Sequence, residues 1–172
     1  MTAHTTTATG NFEESMNAFR RGEFSETIGG LSEAIRLEPN KEVAYLTRGV
    51  AYMKTDKAHL AIDDFDKAIE LSPEHRRAYH LRGHAHYVIG DRKKALQDFD
   101  KAIELDPEYG AAYLSRANLH TELGHGEKAE EDMEMVVLLT EKNMGTFANE
   151  NNILRSKHLR LEAEGIVGEI DR

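Results

Sequence analysis

The stretch Asp64-Phe65-Asp66-Lys67-Ala68-Ile69-Glu70-Leu71-Ser72-Pro73 returns 34 residues later as Asp98-Phe99-Asp100-Lys101-Ala102-Ile103-Glu104-Leu105-Asp106-Pro107. The chain's three prolines, Pro39, Pro73 and Pro107, keep the same interval. Self-similarity at a fixed period of roughly 20 to 50 residues marks a stacked array in which each unit buries its apolar face only against its neighbours. Working outward from the prolines gives units at 8–41, 42–75, 76–109 and 110–143, with a lead at 1–7 and a tail at 144–172. Tyr45 and Tyr79, Arg48 and Arg82, Gly49 and Gly83, Ala61 and Ala95 occupy matching places in the two central units.

Each unit reads as two helices. In the second, apolar residues at three- and four-residue steps predict helices over about Glu42–Lys54 and Ala58–Leu71. Ser72-Pro73 and Asp106-Pro107 are expected to close one helix and open the next, a capping side chain preceding proline at the first helical position. Gly22, Gly90 and Gly124-His125-Gly126 fall where a tight turn joins paired helices. Gly49, Gly83 and Ala117 let paired helices approach, and Phe65, Phe99 and Met133 are expected to fill the space opposite Ala61, Ala95 and Ala129. Gly29-Gly30 inside a helix should cost about 1 kcal/mol per glycine relative to alanine. Glu141 stands where a fourth proline was due, so the last helix of the array is expected to run on toward Met144. Beyond it, Gly145 and Thr146 signal a helix end and a new start. Phe147, Leu154 and Leu161, seven apart, predict a capping helix over 147–164. The Thr-rich lead at 1–7 is expected to be disordered.

Composition narrows the function. With no cysteine, disulfides, Cys-based zinc sites and thiol nucleophiles are excluded. Net charge is −9, which repels nucleic-acid phosphate. No apolar run approaches the roughly 18 residues of a membrane span, and the start lacks a secretory pattern, so a cytoplasmic protein away from membranes is expected. Asp63-Asp64 reads as a solvated face, and no phosphate-binding glycine loop, serine nucleophile setting or metal-hydrolase motif occurs. No enzyme activity and no cofactor are expected.

The residues that recur carry a family resemblance. Tyr45, Gly49, Tyr52, Ala61, Phe65, Ala68 and Pro73 occupy the signature places of a tetratricopeptide repeat, as do Tyr79, Gly83, Ala95, Phe99, Ala102 and Pro107, with His86 where tyrosine is usual. Unit four keeps Tyr113, Ala117 and Ala129 but has His120, Met133 and Val136, and unit one has Ser15, Leu31, Ala34 and Pro39. The chain thus resembles tetratricopeptide repeat proteins. The resemblance implies an all-α, right-handed solenoid of four helix-turn-helix units with a C-terminal capping helix.

It also implies which positions line a concave groove: the second, fifth, ninth and twelfth of each unit's first helix. These are Phe12, Met16 and Phe19 in unit one, and Val43, Leu46, Val50 and Met53 in unit two. Unit three supplies Arg77, His80, His84 and Tyr87, and unit four Ala111, Leu114, Asn118 and Thr121. The expected function is a non-catalytic scaffold whose groove takes a protein or peptide partner with apolar side chains followed by a polar or acidic stretch. Two alternatives stand beside it. In one, the groove is filled by the chain's own tail, through Ile166, Val167 and Ile170, or by another copy in a homo-oligomer. In the other, His80 and His84 sense a metal or small ligand, although no third ligand is apparent and no metal site is assigned. The histidines are otherwise expected to lend pH-dependent positive charge near Arg77. Chaperone-binding members of the family clamp a C-terminal carboxylate with Lys, Asn and Arg. Phe12, Met16, Thr47, Arg77 and Leu81 hold those places here, so such a clamp is not expected. Arg48, Arg82 and Arg116 recur with Asp64, Asp98 and Asp132, and unit one lacks both, which predicts an Arg–Asp ladder between paired helices.

Overall fold

Apolar spacing at helical period folds residues 8–144, the part of the chain described in a computed structural model, into eight helices with no strand among them. The expected lead at 1–7 and the expected cap at 147–164 lie outside the described residues. In chain order the helices are α1 (Ala8–Arg21), α2 (Phe24–Leu37), α3 (Glu42–Lys54), α4 (Ala58–Leu71), α5 (Arg76–Val88), α6 (Arg92–Leu105) and α7 (Gly110–Glu122). The eighth, α8, occupies 126–144. From α1 to α7 each helix packs on the next, so the units stack in sequence. The second unit's helices have the limits that periodicity predicts. With no proline at Glu141 to break it, α8 continues through that residue.

Pro73 and Pro107 do not open helices. α5 and α7 begin three residues later, at Arg76 and Gly110. Each proline instead takes the second place of a β-turn, closed by His75 N–H to Ser72 O at 3.1 Å and by Tyr109 N–H to Asp106 O at 3.0 Å. Proline's fixed φ suits that turn place as well as a first helical position, so the sequence signal alone does not separate them. The Asp106 carboxylate accepts the Glu108 N–H at 3.0 Å, supporting the turn and not a helix. Between paired helices, Gly22, Gly90 and Gly124 hold φ of 79°, 85° and 75°, and Asp56 takes the matching place in unit two at 59°.

Phe65 and Phe99 lie fully inside. An added Cβ would stand 2.5 Å from the Phe65 ring at Gly49 and 2.7 Å from the Phe99 ring at Gly83, so each glycine is the socket for its own unit's phenylalanine. Met133, expected to fill the same role in unit four, is 42% exposed. The double glycine of unit one splits. A Cβ on Gly30 would come within 2.1 Å of Ser15 Oγ, whereas one on Gly29 would meet nothing within 4 Å. Gly30 therefore permits close approach of α1 and α2, and Gly29 only loosens its helix.

The Arg–Asp ladder is present and extends further than expected. Arg82 grips Asp98 with Nε and Nη2 at 2.9 and 2.6 Å and reaches Asp66 of the preceding unit with Nη1 at 2.6 Å. Arg116 grips Asp132 and Asp100 in the same way. Arg48 grips Asp64 and, in place of a second aspartate, Ser32 Oγ at 2.9 Å. Asp64, Asp98 and Asp132 are buried, and the hydrogen bonds to them raise the arginine pKa values in all three units. Burial pushes the Asp64 carboxyl up against the pull of Arg48. At Asp64, desolvation thus offsets the gain from pairing with Arg48.

Candidate functional site

The first helices of units one to three position the candidate site. Met16 and Phe19 of α1, Val43, Leu46, Thr47 and Val50 of α3, and Arg77 and Leu81 of α5 line one hollow of about 260 Å³, joined by His75 at the start of α5. Helical periodicity explains the grouping: steps of three and four set Val43, Leu46 and Val50 on one face, and stacking brings α1 and α5 beside it. Val43 is 45% exposed, while Leu46, at 9%, belongs to the core. The wall of the hollow is therefore apolar, with Val43 exposed, Leu46 buried and Met16, Phe19, Val50 and Leu81 half-buried.

The polar edge is basic. His75 caps α5 by accepting the Ala78 N–H on Nδ1 at 3.3 Å and sets Nε2 3.2 Å from Glu42 Oε1. Glu42 Oε1 is buried and has no hydrogen-bond partner of its own. Arg76 pairs with Asp106 at 2.8 Å, but no carboxylate among the described residues pairs with Arg77, which is exposed. The hollow thus sets an apolar wall beside an exposed arginine at its rim.

Other residues of the predicted stripe lie elsewhere. Phe12 is half-buried against the core with Lys41 Nζ 4.0 Å from its ring centre, and Met53 also packs on the core. His80 bridges to the next unit: Nε2 is 2.8 Å from Ser115 Oγ, Nδ1 is 3.2 Å from the Tyr109 hydroxyl, and the ring packs edge-on against Tyr109. Burial, aided by the positive charges of His84 and Arg77, pushes the His80 imidazolium down to about 4. His80 is therefore neutral near pH 7 and does not carry the expected charge. Both its nitrogens are engaged, which leaves none to pair with the exposed His84 on a metal. Among the described residues no group of three potential ligands is assembled. Tyr87 donates its hydroxyl to Glu122 on α7, and Leu114 and Asn118 are exposed on that helix outside the hollow. His86 and His120, in place of the packing tyrosine, are buried. His75, Thr47 and Leu81 line the hollow outside the second, fifth, ninth and twelfth places; for His75, its place closing the Pro73 turn, where a cap is needed, was the available signal.

A stack of two-helix units joined by glycine turns and proline turns, with one helix face left open along units one to three, defines a helical-repeat solenoid. The two central units, at residues 43–75 and 77–109, match the tetratricopeptide repeat family. It is 43% identical over 49 residues, 28% of this chain, to the TPR repeat-containing thioredoxin TDX of Oryza sativa subsp. japonica. The match spans 16% of that relative's length. The crystal structure of MamA superposes with a TM-score of 0.79 at 22% identity, covering 83% of this chain and 84% of MamA. The first TPR of Spaghetti (RPAP3), bound to the HSP90 peptide SRMEEVD, superposes with a TM-score of 0.65 at 24% identity, covering 68% of this chain and 93% of that one. These likenesses establish the fold. Among the described residues no helix is long and apolar enough to cross a membrane.

Proposed function

We propose that this chain is a non-catalytic interaction scaffold whose α1–α3–α5 groove docks an extended or helical peptide through apolar side chains, with an acidic group of the peptide meeting Arg77. The observation that carries this reading is the hollow itself: half-exposed Met16, Phe19, Val43 and Val50 beside an arginine with no carboxylate partner. A related fold, the first TPR of Spaghetti (RPAP3), holds a peptide rich in acidic residues. The present groove replaces all but one of the family's carboxylate-clamp places with Phe12, Met16, Thr47 and Leu81. Its partner is therefore distinguished by buried apolar side chains, and one acid suffices. Glutamate placed in the slot would be forced to desolvate opposite the partner's apolar side chains, a cost of several kcal/mol. Val43→Glu with Val50→Glu should abolish capture of a partner from the native cell while helicity stays unchanged. A partner retained by the double variant contradicts the groove assignment.

A further inference from the structure

One rung of the arginine ladder lacks its second acid. Arg48, Arg82 and Arg116 each reach back to the same place in the preceding unit's second helix, where Ser32, Asp66 and Asp100 stand 34 residues apart. Arg82 and Arg116 thus hold two carboxylates apiece. Arg48 holds Asp64 alone and donates Nη1 to the neutral Ser32 Oγ at 2.9 Å. Unit one also lacks an internal pair, with Glu14 and Gly30 at the two places. Its junction with unit two is therefore the one where the ladder is weakest.

Ser32 stands where an anion fits and can be added. The Asp66 and Asp100 side chains are 54% and 59% exposed at the matching place, so it opens to solvent and admits a group larger than a hydroxyl. In units three and four the arginine already binds a second anion there while keeping the first. Ser32 is half-buried, and its hydroxyl donates to Ile28 O at 2.7 Å, so chemistry on it requires α2 to open locally. That helix is weakly held: it has no side-chain N-cap, two glycines lower its helix propensity, and Gly29 has no neighbour within 4 Å of its Cβ place.

We propose that Ser32 is a phosphorylation site whose phosphate completes the ladder by pairing with Arg48. In the transfer, Ser32 Oγ bonds to the γ-phosphorus of a nucleoside triphosphate carried by a protein kinase. The bond from that phosphorus to the bridging oxygen breaks, the nucleoside diphosphate leaves, and the hydroxyl proton passes to the kinase's base. The product carries a charge of about −1.5 to −2 at pH 7 and three acceptor oxygens. Arg48 Nη1 already lies within hydrogen-bond distance of the oxygen that bears them. A neutral contact becomes a charge-assisted one, and unit one is pinned to unit two as the later units are pinned to each other.

Two measurements on the full chain test this. Mass spectrometry of the protein isolated from its native cell under phosphatase inhibition should find phosphate on Ser32. Chain made with phosphoserine at position 32, by suppression of an amber codon, should exchange the amide hydrogens of α1 and α2 at least fivefold more slowly than the unmodified chain, with α6 and α7 unchanged. Ser32→Asp, which copies units two and three, should slow the same helices. Arg48→Gln with Asp64→Asn removes the guanidinium together with its buried acid, and in that background phosphoserine should slow exchange less than twofold. Should that pair fail to fold, Arg48→Lys, which keeps a charge beside Asp64 but loses the planar fork, should cut the slowing at least threefold. Native protein without phosphate on Ser32, exchange unmoved by phosphoserine, or slowing that survives the change at Arg48 would each overturn the proposal.

Discussion

Gly49 and Gly29 both sit inside helices, where each forgoes about 1 kcal/mol of helix propensity relative to alanine. Their surroundings give the two replacements opposite signs. At Gly49 three Phe65 ring atoms lie within 3.0 Å of an added Cβ, and a rigid ring in a filled core has no room to yield. Gly49→Ala should destabilise by about 1 to 3 kcal/mol, whereas Gly29→Ala, which meets open space, should stabilise by up to about 1 kcal/mol; urea midpoints of the two variants measure both. Titration gives a second residue-scale test. The His80 pKa is lowered from 6.5 to about 4, so between those values the unfolded chain binds more protons than the folded one. Stability from this site is intact above pH 6.5 and drains away as pH falls toward 4. Burial pushes His86 and His120 in the same direction. His80→Gln should flatten the rise of stability with pH across that window; an unchanged slope contradicts the burial of His80 against Ser115 and Tyr109.

Helix pairs are held in register by the arginine ladder, and its two arms differ in worth. Asp98 is 4% exposed and its other basic neighbour, His86 Nε2, is 3.9 Å away, so Arg82→Ala removes both close bonds to a buried carboxylate and should cost about 3 to 5 kcal/mol. The Asp66 side chain is 54% exposed, and Asp66→Asn should cost at most about 1 kcal/mol. Chemical denaturation separates the two, and equal losses would mean that the inter-unit arm carries as much as the buried one. The arm within each unit was legible in the sequence, because Arg48, Arg82 and Arg116 appear with Asp64, Asp98 and Asp132 and vanish with them in unit one. The arm to Asp66 and Asp100 was not legible, since an exposed aspartate in a charged helix looks the same whether or not an arginine of the next unit reaches it. The proline turns show a similar degeneracy: one φ serves two backbone places, and only the helix starts at Arg76 and Gly110 decide between them.

Across the whole molecule, a repeat period and a position rule place the apolar half of the candidate site, from Met16 to Val50, on one open face. The same rule is silent about partners supplied from the neighbouring unit. Ser115 and Glu122 engage His80 and Tyr87 from α7 and draw them into unit-to-unit contact. Leu46 belongs to the core as much as to the groove, so Val43 is the better probe of binding, exposed enough to change without unfolding the array. The most direct test is selection of a random-peptide display library on the full chain, with Val43→Glu and Arg77→Glu as counter-targets. Docking in the groove should enrich peptides with paired large apolar residues followed by Asp or Glu, bound by the full chain at least tenfold more tightly than by either variant. Enriched peptides that bind the variants equally well, or no enrichment at all, would contradict it.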